Sequence, residues 1–525
     1  MSSVALPRAA GAASASRAGP AGVAHKGMIT LSLMLATIMQ ALDTTIANVA
    51  LPHMQGSLQA SQDQISWVLT SYIVAAAIAT PLTGWLCDRW GRRQVFMAAV
   101  AGFTLASALC GMADSLWQIV AARLLQGLFG AALVPLSQAV LLDINPREKA
   151  GQAMALWGAG IMVGPILGPL IGGWLTVNAN WRWVFYINLP VGLMAFYGIA
   201  RFLPRGGRGG TRLDLFGFAT LGLAIGLLQM LLDRGEMLDW FASVEIRLEA
   251  AGCLVAFAFF VAHTWTVRGP SFFNRALLHD TNYVTALLFA FIVGVVLYAT
   301  LALLPSLLQG LLGYTAFDTG LITAPRGIGT MIAMIAVGRL IRFVDARKLM
   351  AVGFSLMALS LYEMSRITLE MDATLLVVSG LIQGVGLGLT FVPLSTVAFA
   401  TLPAKLRNEG TPIFSLLRNI GSSVGISLVQ ALLSEGAARA HAQLATDISR
   451  SNPVVAALPP GLGADSPTGL MLLNAEVTRQ ATMIGYIGDF RVMLGLTLCA
   501  LPLLLLMRKP TPQATSAAAA ADAGH

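Results

Sequence analysis

The chain has 525 residues, 56% hydrophobic and 11% charged, with a mean hydropathy of +0.73 and a net charge of +8. That balance excludes an ordinary soluble enzyme. Six scattered histidines and the isolated Cys87, Cys110, Cys253 and Cys499 give no metal or disulfide pattern, and no Gly-x-x-x-x-Gly-Lys-Ser/Thr loop is present to drive transport with ATP.

Residues 1–27 are rich in Ala, Ser and Gly, carry Arg and Lys but no acid, and read as a disordered cytoplasmic tail. Fourteen apolar stretches follow, near 28–52, 65–86, 95–113, 116–142, 150–175, 182–203, 214–232, 247–266, 282–308, 319–341, 348–366, 373–400, 411–433 and 488–507. A helix needs about 20 mostly apolar residues to cross a bilayer. Backbone polar groups in lipid must be satisfied within the segment, so an all-α polytopic membrane protein is expected. Taken alternately, the loops on one side hold 22 Lys and Arg residues and those on the other hold 8, with Arg123, Arg326 and Arg418 left inside spans. That asymmetry orients the chain with both ends in the cytoplasm and accounts for its basic charge without nucleic acid. Residues 508–525 read as a second disordered tail.

The chain repeats itself. LLQG at 124–127 and VPLS at 134–137 return as LIQG at 381–384 and VPLS at 392–395. ALP at 50–52 returns as LLP at 303–305, and Gly160-x-x-x-Gly164 as Gly421-x-x-x-Gly425. Two six-helix bundles are expected, over 28–203 and 282–507, with two helices inserted between them in 204–281. The second bundle includes a long outer loop at 434–487. Parallel repeats of this kind place a substrate site between the halves, reached by rocking one against the other.

After the second stretch comes Gly84-Trp-Leu-Cys-Asp88-Arg89-Trp-Gly91-Arg92-Arg93. The fifth carries Gly160-x-x-x-Gly164-Pro165-Ile-Leu-Gly168-Pro169-x-x-Gly172-Gly173-Trp174. Together with LDTTIANVALP at 42–52, Arg123-Leu-Leu-Gln126-Gly127, WRWVFYINLP at 181–190 and LDRGEMLDWF at 232–241, these segments resemble the major facilitator superfamily. Within it they are similar to the fourteen-span drug:proton antiporters of the EmrB/QacA type, over roughly residues 28–507. The resemblance implies a proton-coupled multidrug exporter of amphipathic compounds in a bacterial inner membrane. It implies no cofactor, a small-molecule substrate, and a periplasmic EmrA-like adaptor with an outer-membrane channel. A dedicated exporter of one metabolite or siderophore is an alternative on the same fold, and a non-transporting membrane sensor a remoter one.

By the same resemblance Gly84, Asp88, Arg89, Gly91, Arg92 and Arg93 form an inner conformational latch, with Asp88 facing the start of the thirteenth stretch near Thr411-Pro412; Asp143, in the turn after the fourth stretch, is a candidate to pair with Arg92 or Arg93 and complete it. A simple basic anchor is the plainer reading of that loop, and a solvated turn that of Asp143-Ile-Asn-Pro-Arg147-Glu148-Lys149. The glycines and prolines of the fifth stretch (Gly160, Gly164, Pro165, Gly168, Pro169, Gly172 and Gly173) permit close packing and bending, and an ordinary packing face satisfies them equally.

Asp43 is the foremost candidate. It stands about 22 Å along its span, where an unpaired charge costs roughly 2.5–3.5 kcal/mol. Burial penalises its charged form and a neighbouring cation favours it, so a carboxyl between the two can take a proton from one side and release it to the other. Arg123 needs an acceptor in its span and is placed by the resemblance in the proton-coupling motif. Permanent structural pairing is the competing reading for both. Gln40, Asn48, Gln126, Gln138, Arg326, Gln383, Arg418 and Asn419 are candidate polar groups of the cavity; spans apolar on every side do not show which way they face.

Overall fold

The computed structural model describes residues 25–146, 149–205, 213–267, 273–448, 452, 455 and 466–507. Both tails apart from residues 25–27, Arg147 and Glu148 of the turn after Asp143, and most of 449–465 lie outside them. The described residues form helices and no strand. We number the spanning segments α1 (Lys26–Ser57), α2 (the bent pair Trp67–Ala79 and Leu82–Trp90), α3 (Arg92–Met112), α4 (Leu116–Ile144) and α5 (Ala150–Thr176). Then come α6 (Trp183–Phe202), α7 (Leu215–Arg234), α8 (Val244–Thr266), α9 (Thr281–Leu311) and α10 (Ala316–Leu340). The last four are α11 (Ala346–Met364), α12 (Thr374–Ala400), α13 (Ala404–Thr446) and α14 (Pro467–Leu503).

Each expected stretch is thus helical, but fourteen crossings is more than length and apolarity alone support. Eleven helices are long and apolar enough to cross a membrane, or twelve with α2 taken as one span. The helices α8 and α11 fall outside that count, and both carry ionisable residues in their terminal turns: Glu245, Arg247 and Glu249 in one, Arg347, Lys348 and Glu363 in the other. The 57° bend in α2 falls beside Pro81, whose ring and missing N–H interrupt the helical ladder.

Helix ends that meet define two faces. Arg92 at the start of α3 pairs with Asp143 at the end of α4, and Arg93 donates to the Ala200 carbonyl near the end of α6. Arg342, after α10, donates to Gln152 of α5 at 2.8 Å. This is the basic face. On the opposite face Arg182 at the start of α6 pairs with Asp114 after α3 at 2.9 Å.

The two bundles touch along α5, α10 and α12, and along α4, α2 and α13. Trp157 of α5 stacks on Phe391 of α12 with 6.3 Å between ring centroids. The chain from 411 to 507 departs from expectation. α13 starts two turns before Thr411 and runs 43 residues, and α14 begins at Pro467. Much of the presumed outer loop is therefore the helical continuation of two spans. At about 1.5 Å per residue α13 is roughly 65 Å long, twice the hydrocarbon thickness.

Burial in α14 exposes a feature with no counterpart among the sequence candidates. Asp489 is 1% exposed, and both its carboxyl oxygens lack a hydrogen-bond partner among the described residues. Burying such a group without a donor costs about 1–3 kcal/mol. Asp489→Leu is therefore expected to raise the thermal midpoint of the purified protein. A lowered midpoint would show that the carboxyl makes a stabilising contact.

Candidate functional site

Three helices of the first bundle converge on Asp43. Its side chain and that of Arg123 are 0% and 1% exposed, and Arg123 Nη1 donates to Asp43 Oδ2 at 2.6 Å. Asp43 Oδ1 accepts two further bonds, from Gln126 Nε2 and from Asn188 Nδ2, both at 2.8 Å. Three donors on one carboxyl are what its ionised form accepts, and the cationic donor strengthens the set.

Arg123 is equally well held. Its Nε donates to the Val68 carbonyl at 3.0 Å, its Nη1 also reaches Gln126 Oε1 at 2.8 Å, and its guanidinium lies 4.4 Å from the centre of the Tyr72 ring. Local sequence explains the convergence. Arg123 and Gln126 are three apart on α4, hence on one face. The break at Ile187 starts a fresh helix at Asn188, which turns that amide inward. Asn188 is fixed in turn, donating to Ser107 Oγ at 2.9 Å, while Ser107 donates to the Phe185 carbonyl.

Asp43 and Arg123, which the sequence could not show to touch, form a direct ion pair, and Gln126 joins them. Gln40 is one shell out, donating to the Tyr72 hydroxyl at 3.4 Å. Asn48 is exposed and stands apart from the network. Gln138 is buried with its amide atoms unpartnered among the described residues. The second bundle carries a faded copy of the site. Gln383 of LIQG donates to Thr300 of α9 at 3.2 Å, as Gln126 of LLQG donates to Asp43 of α1. Arg326 donates to the Leu297 carbonyl at 3.1 Å and has no carboxylate partner among the described residues. Arg418 is half-buried, 5.9 Å from the Phe391 ring centre, and Asn419 beside it is also half-buried. Among the described residues this copy has no carboxylate in the place that Asp43 holds.

Sequence reasoning missed Asn188 and Ser107. Asn188 stood inside a quoted segment, placed at the mouth of its span. An amide followed by Leu-Pro, one turn inside an apolar stretch, was the available signal.

The fifth-span glycines pack directly on the turn that carries Asp43. A Cβ on Gly164 would lie 2.6 Å from Ala41 Cβ and 2.7 Å from its carbonyl carbon, and one on Gly168 would lie 2.1 Å from Thr45 Oγ1. Thr45 also donates to the Gly164 carbonyl at 3.2 Å. Gly160 and Gly172 meet Met34 and Ile46 on the same helix, whereas Gly173 faces open space. Pro165 lies in the first turn after a break at Met162, and Pro169 lies inside the helix beyond it.

The residues expected to form a latch gather at the basic face. Gly91 separates α2 from α3 with φ of 86°, a conformation L side chains rarely adopt. Asp88 and Gly84 line a cavity beside Glu409 and Ile413 of α13, and Arg89 is exposed. Asp143 is shared: Arg92 of its own bundle pairs with it, and Arg407 Nη1 of α13 lies 3.6 Å away. Arg92 and Asp143 have side chains 25% and 23% exposed, so solvent screening limits each contact to about 1 kcal/mol or less. Asp143→Asn should accordingly shift the open population of the basic face by up to roughly fivefold. Spin labels at Trp90→Cys and Phe343→Cys, with native cysteines replaced, would read this as a longer-distance component. An unchanged distribution would remove Asp143 from the latch.

Comparison with known proteins bears on the family and the fold. Residues 33–426 match the Major Facilitator Superfamily. The fatty acid resistance protein FarB of Neisseria gonorrhoeae is 35% identical over 487 residues, covering 92% of this chain and 96% of that protein. The multidrug export protein EmrB of Escherichia coli K12 is 35% identical over 490 residues, covering 90% and 95%. Among solved structures, the human organic anion transporter MFSD10 (TETRAN) superposes with a TM-score of 0.60 at 14% identity, covering 91% of this chain and 99% of that one. The proton:xylose symporter XylE gives 0.59 at 13%, covering 91% and 96%. With this fold and these relatives, the chain belongs to the major facilitator superfamily of membrane transporters.

Proposed function

We propose that the chain is a proton-coupled exporter of amphipathic, largely apolar compounds, working by alternating access. One observation carries the reading: a fully buried carboxylate, Asp43, whose only cationic partner among the described residues is the equally buried Arg123. Protonating Asp43 would remove the charge that holds Arg123 Nη1 and loosen α1 from α4. Deprotonation would restore the three donors. Opening the site to one face and then the other converts that exchange into transport, with each inward proton supplying about 2.3 kcal/mol per 100 mV besides the pH difference. The names of FarB and EmrB, which concern fatty acid resistance and multidrug export, support an amphipathic substrate.

The Lys and Arg content of the basic face supports reading it as the cytoplasmic one, with both termini inside, and the bacterial relatives FarB and EmrB support a bacterial inner membrane. The overlong ends of α13 and α14 then project into the periplasm. Leu470, Met471 and Leu472 are 49%, 73% and 51% exposed on that projection, an apolar surface suited to a periplasmic adaptor leading to an outer-membrane channel.

Reconstituted vesicles loaded with a lipophilic dye test the function. An imposed pH gradient should drive dye efflux and an opposite proton flux. Folded protein that moves neither, across a panel of dyes and drugs, would leave a sensor role as the better reading.

A further inference from the structure

Asp489 is a buried acid that the Asp43 network does not use. Its helix packs on α9, α11 and α13 of the second bundle. α14 runs antiparallel to α13, so its Leu503 end is the one at the basic face, and Asp489 stands roughly 21 Å from that end. Asp43 stands about 22 Å along α1 from the same face. The two carboxyls thus lie at one depth in different bundles.

The helical period puts Asp489 inside. Gly485, Asp489, Met493 and Thr497 recur every four residues on α14, and all are buried. One turn outward of Asp489 the two last helices come almost into backbone contact. A Cβ on Gly485 would lie 3.1 Å from the Leu433 carbonyl oxygen and 3.3 Å from the Ala437 nitrogen. This close approach roofs the carboxyl on its outer side.

The stretches packed against it bring no cation. α13 has no ionisable residue between Arg418 and Glu435, α11 none between Lys348 and Tyr362, and α9 none between Tyr283 and Tyr298. Glu435 itself pairs with Arg439 at the surface. On α14 Tyr486 shares the buried face and is 4% exposed, whereas Arg491 is exposed on the other side. With both its oxygens unpartnered among the described residues, an ionised Asp489 would have neither donor nor counter-ion. A carboxyl so placed takes a proton instead of keeping its charge. Asp43 is the reverse case, held in its ionised form by three donors.

Charge state and helix packing are therefore linked at Asp489. The neutral acid is compatible with the packed helices, and the carboxylate is tolerated only where water reaches it. Giving the proton to water leaves a charge that holds α14 off its neighbours; taking it back lets them close. An acid within a span that makes no structural bond is otherwise a pure cost.

We propose that Asp489 is a second proton site, filled while α14 is packed on α11 and α13 and emptied to water as it parts from them. The site is independent of Asp43 and stands even if coupling through Asp43 fails.

Infrared spectra of the full chain test this, in vesicles of ether-linked phosphatidylcholine, which has no ester carbonyl to hide the band. At neutral pH the unmodified chain should show the carbonyl stretch of a protonated carboxyl. Asp489→Asn and Asp489→Leu should each lose it, and the double variant Asp43→Asn/Arg123→Gln should keep it. In heavy water the band should move to lower frequency at least about tenfold faster than the protected backbone amides exchange. Spectra that do not distinguish the unmodified chain from the two Asp489 variants would overturn the proposal. So would a band that persists in heavy water as long as the protected amides, since Asp489 would then be a sealed structural acid. Dye efflux by a protein behaving in either way would leave the exporter reading standing.

Discussion

Asp43→Asn is expected to abolish efflux driven by a pH gradient and to destabilise the protein at the same time. The substitution keeps the shape but removes the charge that balances Arg123 in a site with no solvent access. Breaking one side of a buried pair costs about 3–5 kcal/mol, because the remaining charge stays buried without compensation. Loss of transport in the single variant is therefore ambiguous, since a damaged fold gives the same result. The double variant Asp43→Asn/Arg123→Gln separates the two effects. Both charges are gone, the amides of Gln126 and Asn188 keep acceptors within reach, and thermal stability should return to near that of the unmodified chain. Coupling should not return, because the carboxyl that exchanges the proton in this reading is gone. Gradient-driven flux in the double variant, at normal expression, would assign Asp43 and Arg123 a structural pairing and nothing more.

How much of this was legible in the sequence follows from what each residue costs in a membrane. Asp43 and Arg123 stood out because charge inside an apolar stretch is rare and expensive, and the resemblance then gave them roles. The fold was legible for a related reason: spans and loops separate strongly in polarity, and the repeated LxQG and VPLS segments marked the two bundles. Asn188 was not legible, because a neutral amide costs little and its stretch has no polar face to betray direction. Only the helix break at Ile187 aims it at Asp43. Asp489 escaped for a different reason. Its span was drawn from 488, which put the acid at an interface, whereas α14 starts at Pro467 and buries it. Lateral contacts between helices were out of reach altogether.

Gly164→Ala should cost most of the transport activity, although it adds only a single methyl group where α5 packs on Ala41 of α1. The new Cβ would stand 2.7 Å from the Ala41 carbonyl carbon and 2.9 Å from its oxygen, both backbone atoms that cannot rotate away. Relief requires α1 and α5 to separate, and Asp43 lies two residues from the point of collision. Overpacking of this kind costs roughly 1–3 kcal/mol in stability. The functional loss should be larger than that figure suggests, because the bonds from Arg123, Gln126 and Asn188 to Asp43 all lengthen as α1 shifts. Gly173→Ala is the matched control on the same helix: its Cβ would meet nothing within 4 Å. It should leave both thermal midpoint and efflux rate unchanged. If the two alanine variants behave alike in proteoliposomes, the glycines of α5 serve bending alone, and their packing on the Asp43 turn carries no functional weight.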